Sequence, residues 1–345
     1  MIYSSVNNGD VKKSNINNNL NSDRIFLFDN IKFFLMLLCV IGHFALYDKT
    51  HFAFIRSLFL FIHTFHMQLF IFISGLFYSK LKVKYNVLFY LCIFILMKFI
   101  LDILNSILFN ISNFAIFDTN NIYWFMLVLV NCNLITFFID KCDLKLMIVL
   151  SIIVALIAGF DKNATHQFAI QRTCVFYPFF LIGVNFEKKV LINLLDFKYL
   201  KIIGLFIIII YLIILMLGVD KGLYNLIDFF GGWKPYSMTK FPQYAMLIRA
   251  LSYCLTLLVG FSFILVIPNC YIPYITDFGQ KTLQVYFYHF YIRTIVRGYG
   301  VLSVNSISNF IILLFISIVI TVVLSLKPFD FPFDFLKKAI KNNRN

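Results

Sequence analysis

Apolar residues run along this chain in long blocks separated by short polar joints. A helix that crosses a bilayer needs about 20 predominantly apolar residues. On that measure ten blocks read as spans: 26–47, 53–79, 85–109, 122–139, 146–160, 173–187, 199–219, 244–267, 279–297 and 306–326. Blocks 146–160 and 173–187 are short, which suits tilted partners or partly re-entrant segments. Residues 1–23, "MIYSSVNNGDVKKSNINNNLNSD", carry no apolar period and read as a disordered tail. No short apolar core with a small-residue cleavage site follows, so this is not a removed signal peptide. The closing stretch 327–345, "KPFDFPFDFLKKAIKNNRN", reads as a short amphipathic tail lying on the cytoplasmic surface. No parallel or inverted repeat is visible.

Composition agrees with that pattern. Of 345 residues 61% are hydrophobic and 13% charged, about half the charge of a soluble domain. The net charge of +14 raises the question of nucleic acid. In a membrane protein, however, basic loops on the cytoplasmic side account for such a balance first. No soluble segment is long enough to present a basic surface, so nucleic acid is excluded as a partner and the lipid bilayer is the expected one. With the N-terminus inside, the segments facing the cytoplasm hold nearly twice the Lys and Arg of those facing out. The expected fold is therefore all-α: a polytopic membrane bundle of about ten transmembrane helices over residues 24–326, both termini cytoplasmic, in the cytoplasmic membrane. The seven cysteines lie singly, with no CxxC or Cys/His ligand spacing. They are read as reduced, lipid- or core-facing residues, and no metal is expected.

Titratable residues inside apolar spans are costly and usually functional. The first span, "DNIKFFLMLLCVIGHFAL", carries three. At about 100° per residue, Asp29, Lys32 and His43 share one helix face. His43 stands about 17 Å above Lys32 at a rise of 1.5 Å per residue. The second span runs the other way, and in "FIHTFHMQLFIFISGLFYSKLKVK" His63 and His66 share a face. His66 lies about 21 Å above Lys80, and His289 about 12 Å above Lys281. Three histidines can thus meet within one bundle, each over a cation. Lys98 and Asp102, one turn apart, read as a mutually neutralising pair. The pair His63–x2–His66 lacks an identifiable third metal ligand. The longest outer loop, 220–243, mixes Gly-Gly-Trp-Lys-Pro-Tyr turn and aromatic residues. It suits either a cover over a site or an interfacial aromatic belt.

The segments "DNIKFFLMLLCVIGH", "FHMQLFIFISGLF", "YWFMLVLV", "RTCVFYPFFLIGVNFEK" and "FGQKTLQVYFYHFYI", in that order, resemble the integral-membrane acyltransferase 3 family, in the branch that O-acetylates surface sugars. The resemblance covers roughly residues 24–326. Gln68 departs from it, standing where the family commonly carries proline after "FHM"; this bears on the kink of that helix and not on the histidine. The resemblance implies an acyltransferase moving an acyl group, acetyl in that branch, from cytosolic acetyl-CoA to a hydroxyl of a surface polysaccharide or lipid-linked glycan. His43 matches the family's essential histidine, as general base or as transient acyl carrier. Both roles need a neutral imidazole. The candidate catalytic residues are His43, His66 and Asp29. Asp29 lies too far along the face to touch His43 and is expected to partner Lys32 or a neighbouring helix. Lys32, Lys80, Lys82, Lys84 and Arg172 are candidate holders of the CoA phosphates, although the topology puts Arg172 near the outer side, where it would meet acceptor or tunnel groups. His289, His63, Ser74 and Trp124 are placed along the substrate passage, and Ser74 with Gly75 would permit close helix approach. Transfer is expected to go directly to the glycan. A polysaccharide or small-molecule transporter is the alternative reading, and a sensor or scaffold a third.

Overall fold

A computed structural model describes residues 25–44, 52–111, 119, 121–162, 167–299 and 306–342. The expected tail 1–23, and residues 45–47 at the end of the first expected span, lie outside the described residues. Among those described there are fourteen α-helices and no strand. They are α1 (Phe26–Phe44), α2 (Ala53–Leu76), α3 (Val83–Phe109), α4 (Trp124–Phe138), α5 (Leu144–Ile157), α6 (Ile170–Asn185) and α7 (Lys188–Leu195), followed by α8 (Lys198–Gly218), α9 (Ile227–Gly231), α10 (Ala245–Val266), α11 (Ile275–Phe278), α12 (Thr282–Gly298), α13 (Ile307–Leu324) and α14 (Phe331–Asn342). Apolar sequence surrounded by hydrocarbon must satisfy its own backbone groups, and the helix does this within one segment.

A helix stands at each of the ten places that the apolar blocks mark. Six of them, α1, α2, α3, α8, α10 and α13, are long and apolar enough to cross a membrane. The other four, α4, α5, α6 and α12, have 15, 14, 16 and 17 residues. The chain is an all-α membrane bundle. Its long helices divide by burial. In α2 78% of the apolar window is inside the bundle, against 17% in α8, so α2 is the axis and α8 part of the lipid-facing wall. Ile202, Phe206, Ile209 and Leu217 of α8 are exposed accordingly.

The axis is held from every side. α2 packs on α1, α6, α8, α9 and α10. Gly75 of α2 and Gly183 of α6 face each other so closely that a Cβ on either would collide with the other helix's backbone. Small residues are what permit such an approach. Hydroxyls tie the rest: Thr256 of α10 donates to the Thr64 carbonyl (2.7 Å), and Thr64 pairs with Tyr211 of α8 (2.8 Å). At the opposite end, Asn30 of α1 donates to the carbonyls of Pro268 and Cys270 (both 2.9 Å) and accepts from Thr276 (2.7 Å). Gly279 rests against the Asp29 backbone there, leaving no room for a side chain. These contacts pin the foot of α1 to the turn before α12, and α12 in turn packs on α1 and α3. Lys98 and Asp102 form the expected pair at 2.9 Å, both buried. In α14, Phe333 is buried against Phe287 and Tyr288 of α12 while Phe331 and Phe335 stay exposed.

Candidate active site

Three helices bring the histidines together. His43 is on the last turn of α1, His63 and His66 on successive turns of α2, and His289 in the middle of α12. A cavity of about 300 Å³ is lined by His43, His63, His66, Arg172, Trp124 and Gln68, with further walls from Cys39, Tyr286, Phe290, Arg293, Arg297 and the 230–233 segment. His289 lies behind His43, their ring centroids 5.4 Å apart, and is itself fully buried.

The hydrogen bonds set the tautomers. Nδ1 of His63 faces the Phe59 carbonyl, Nδ1 of His66 the Ile62 carbonyl and Nδ1 of His289 the Val285 carbonyl, each at 2.8 Å. A carbonyl only accepts, so each Nδ1 is the protonated donor. In the neutral ring, Nε2 then carries the lone pair. His43 differs: among the described residues its ring makes no hydrogen bond, only ring contacts with His289 and Phe290 (5.5 Å). It borders the cavity with its ring nitrogens uncommitted, and its backbone carbonyl is fixed by the Arg293 guanidinium (3.0 Å).

The rest of the wall is rigid. The Arg172 guanidinium lies 4.5 Å above the Trp124 ring, which itself stacks on Phe176, and donates to the Thr119 carbonyl (3.4 Å). Cation–π placement of this kind holds a buried guanidinium that pairs with no carboxylate among the described residues. Gln68 continues α2 without a break and donates its amide to the Phe230 carbonyl (3.0 Å). The residue that replaces the family's proline thus fastens the 220–243 loop over the histidines. That loop forms part of the cavity wall through Phe230, Gly231 and Trp233. Gly232 turns it with φ +63°, a left-handed conformation that suits glycine. Outside the cavity, Tyr236 donates to the Leu156 carbonyl (2.8 Å) and Gln171 to the Lys234 carbonyl (3.3 Å).

A second cavity, about 180 Å³ and mostly apolar, lies on the side of α1 that carries Lys32. Lys32, Ser74, Tyr90, Phe125 and Thr282 line it. Met67 and Tyr286 line both cavities, so these two side chains form the partition between them. The sequence-derived residues therefore sort into three places. His43, His63, His66, Arg172 and Trp124 share the first cavity, with His289 against it. Lys32 and Ser74 line the second. Asp29 lines neither; it pairs with Lys32 at 2.8 Å, some 21 Å of helix from His43. Lys80, Lys82 and Lys84 are exposed and line neither cavity, and Lys80 pairs with Asp140. Cys39, Gln68, Tyr286, Arg293 and Trp233 join the site from the structure. Cys39 is one turn before His43 and on its face, a spacing that was open to view in the sequence. The Tyr286 and Arg293 positions needed the fold.

Polar cavities inside a membrane bundle mark substrate or proton pathways. The comparison with protein families narrows this. A family model described as an acyltransferase domain matches residues 26–326, and the chain belongs to the acyltransferase 3 family. It is a membrane acyltransferase. No curated protein and no solved structure matches the chain.

Proposed function

We propose that this chain transfers an acetyl group from cytosolic acetyl-CoA to a hydroxyl of a surface polysaccharide or lipid-linked glycan, from within the cytoplasmic membrane. The observation that carries the reading is the position of His43: an imidazole with no ring hydrogen bond among the described residues, on a cavity that shares Met67 and Tyr286 as lining with a lysine-bearing pocket. The donor enters by the Lys32 pocket and the acceptor by the cavity under the 220–243 loop. Lys32 takes a phosphate of CoA; Lys80, Lys82 and Lys84 raise the local potential outside it. The thioester carbon reaches His43 past the partition. His43 removes the acceptor proton as the oxygen attacks that carbon, the C–S bond breaks, and the CoA thiolate takes up a proton. Arg172 and the Gln68 carbonyl oxygen hold the sugar. The resemblance to the sugar-acetylating branch supports the choice of acyl group and acceptor.

The ion pairs support alternation of sides, and the Lys and Arg bias of the loops supports the orientation with both termini inside. Arg56–Asp220 and Lys234–Asp228 join segments that this topology places outside. Lys80–Asp140 and Lys281–Asp330 join segments that it places inside. None of these four crosses between faces. The test is transfer from radiolabelled acetyl-CoA to acceptor glycan in membranes holding the chain. Wild type is expected to label the glycan and His43→Ala to lose about 10²–10⁴ in rate, the usual share of a positioned base. Equal labelling by the two proteins overturns the assignment.

A further inference from the structure

Two side chains beside the catalytic imidazole, Cys39 and His289, are left over by acyl transfer. Cys39, His43 and His289 each offer a ligand atom, and the three atoms lie within 4.8 Å of one another. Cys39 and His43 are four residues apart on α1 and so share a face; His289 comes from α12. His289 is the telling member. It is fully buried, and its Nε2 has no hydrogen-bond partner among the described residues while Nδ1 donates to the Val285 carbonyl. An imidazole whose one nitrogen is spent on a backbone carbonyl, with the other bare, is the form that ligates metals, the outer hydrogen bond fixing tautomer and ring orientation. An unpartnered buried nitrogen is otherwise a cost with no return.

We propose that Cys39, His43 and His289 form a reversible site for a borderline-soft divalent cation such as Zn²⁺, which occupies the catalytic imidazole and so blocks transfer. The donor set selects the class of ion. One thiolate and two imidazoles suit Zn²⁺, Co²⁺ or Cd²⁺, whereas Mg²⁺ and Ca²⁺ require oxygen ligands. A tetrahedral ion with Zn–S near 2.3 Å and Zn–N near 2.0–2.1 Å spaces its ligands about 3.3–3.6 Å apart. Closing from 4.8 Å at the widest takes about 1.2–1.5 Å, within reach of side-chain rotation. The first cavity, bordered by Cys39 and His43, is the entry path and holds the fourth ligand, water. On binding, the Cys39 thiol gives up its proton to solvent and the sulfur becomes the ligand. The thiolate offsets one of the two metal charges. The remaining charge faces Arg293, whose Nε holds the His43 carbonyl, and Arg172 and Arg297 on the same cavity. These guanidiniums limit affinity, which makes the site a brake and not a permanent cofactor centre.

The full-length protein, purified in detergent and titrated with Co²⁺, gives a readout that needs no turnover. A thiolate-to-cobalt charge-transfer band is expected in wild type, and also in a variant with Cys92, Cys132, Cys142, Cys174, Cys254 and Cys270 changed to Ser. Cys39→Ser and Cys39→Ala are expected to lose the band. His289→Gln should weaken binding by at least about tenfold, the lower end of what even an outer-shell loss costs. Absence of the band in wild type, or its persistence in both Cys39 variants, overturns the site. In the transfer assay, Zn²⁺ is expected to inhibit wild type reversibly on chelation. Relative to its own metal-free rate, Cys39→Ser should need at least about tenfold more Zn²⁺, by the same reckoning. Equal sensitivity of the two proteins would contradict the proposal. A chain that failed to transfer acetyl at all would still give the cobalt result, so the two readings fail separately.

Discussion

His43 and His66 lie on the same cavity, yet their surroundings assign them different work. The His66 ring is anchored through Nδ1 to the Ile62 carbonyl, which orients Nε2 and stops the ring turning. The His43 ring has no such anchor among the described residues. A base that must accept a proton and release it again gains from that freedom, while an anchored ring suits holding a substrate hydroxyl. His66→Gln, which keeps a polar group at that depth, should therefore raise KM more than it lowers kcat, whereas His43→Gln should lower kcat by about 10²–10⁴. Steady-state kinetics on both variants decides it, and a dominant kcat loss in His66→Gln would move the base to α2. The buried pair on α3 makes a second residue-level test. Asp102→Ala leaves Lys98 charged beside the Tyr123 ring, 5.1 Å away, and should cost about 3–5 kcal/mol. The double change Lys98→Met with Asp102→Leu should recover most of that in a thermal melt.

Helix arithmetic reads well inside one element and poorly between elements. The shared faces of Asp29, Lys32 and His43, and of His63 and His66, were legible because a 100° step needs only the residue numbers. So was the Lys98–Asp102 pair, one turn apart on a single helix. Arg172 was legible only as two alternatives, a phosphate holder or, from its outer-side position, a residue meeting acceptor or tunnel groups. It lies with the histidines because α6 crosses α2 at Gly75 and Gly183, and where two helices cross depends on which glycines meet. The same crossing predicts a strong dependence on side-chain size. Gly183→Leu should destabilise by at least about 1–3 kcal/mol, the usual cost of overpacking, and reduce transfer, since it pushes α6 and Arg172 away from α2. A melting temperature and activity equal to wild type would mean that the two helices do not pack as described. The grouping of Cys39 with His289 was hidden for a similar reason. Ligand spacing rules look for neighbours in sequence, and α12 joins α1 from 250 residues away, as the Arg293–His43 contact shows.

At the scale of the whole molecule the ten apolar blocks and their helices agree, because lipid forces apolar runs into helices wherever they occur. The short 3₁₀ and α-helical pieces between residues 223 and 244 were not legible: nothing in "YNLIDFFGGWKPYSM" has a helical period, and contacts with α2, α5 and α6 shape it. The two-sided arrangement carries a labelling prediction. Cys142 and Cys270 are exposed, in turns that the topology puts inside. A membrane-impermeant maleimide should modify both in inside-out vesicles and neither in intact cells. Labelling of either from outside would reverse the local topology and separate the Lys32 pocket from its donor.

In the proposed reaction His43 is the base at the point where an acyl group passes from a donor on the Lys32 face to an acceptor on the other, beside Met67 and Tyr286. Sealed inside-out vesicles test this most directly, with radiolabelled acetyl-CoA added outside, at the face that carries Lys32, and acceptor glycan enclosed within. Wild type is expected to label the enclosed glycan and His43→Ala to leave it unlabelled. Labelling that survives in His43→Ala, or that appears only when donor and acceptor share one side, would contradict the account.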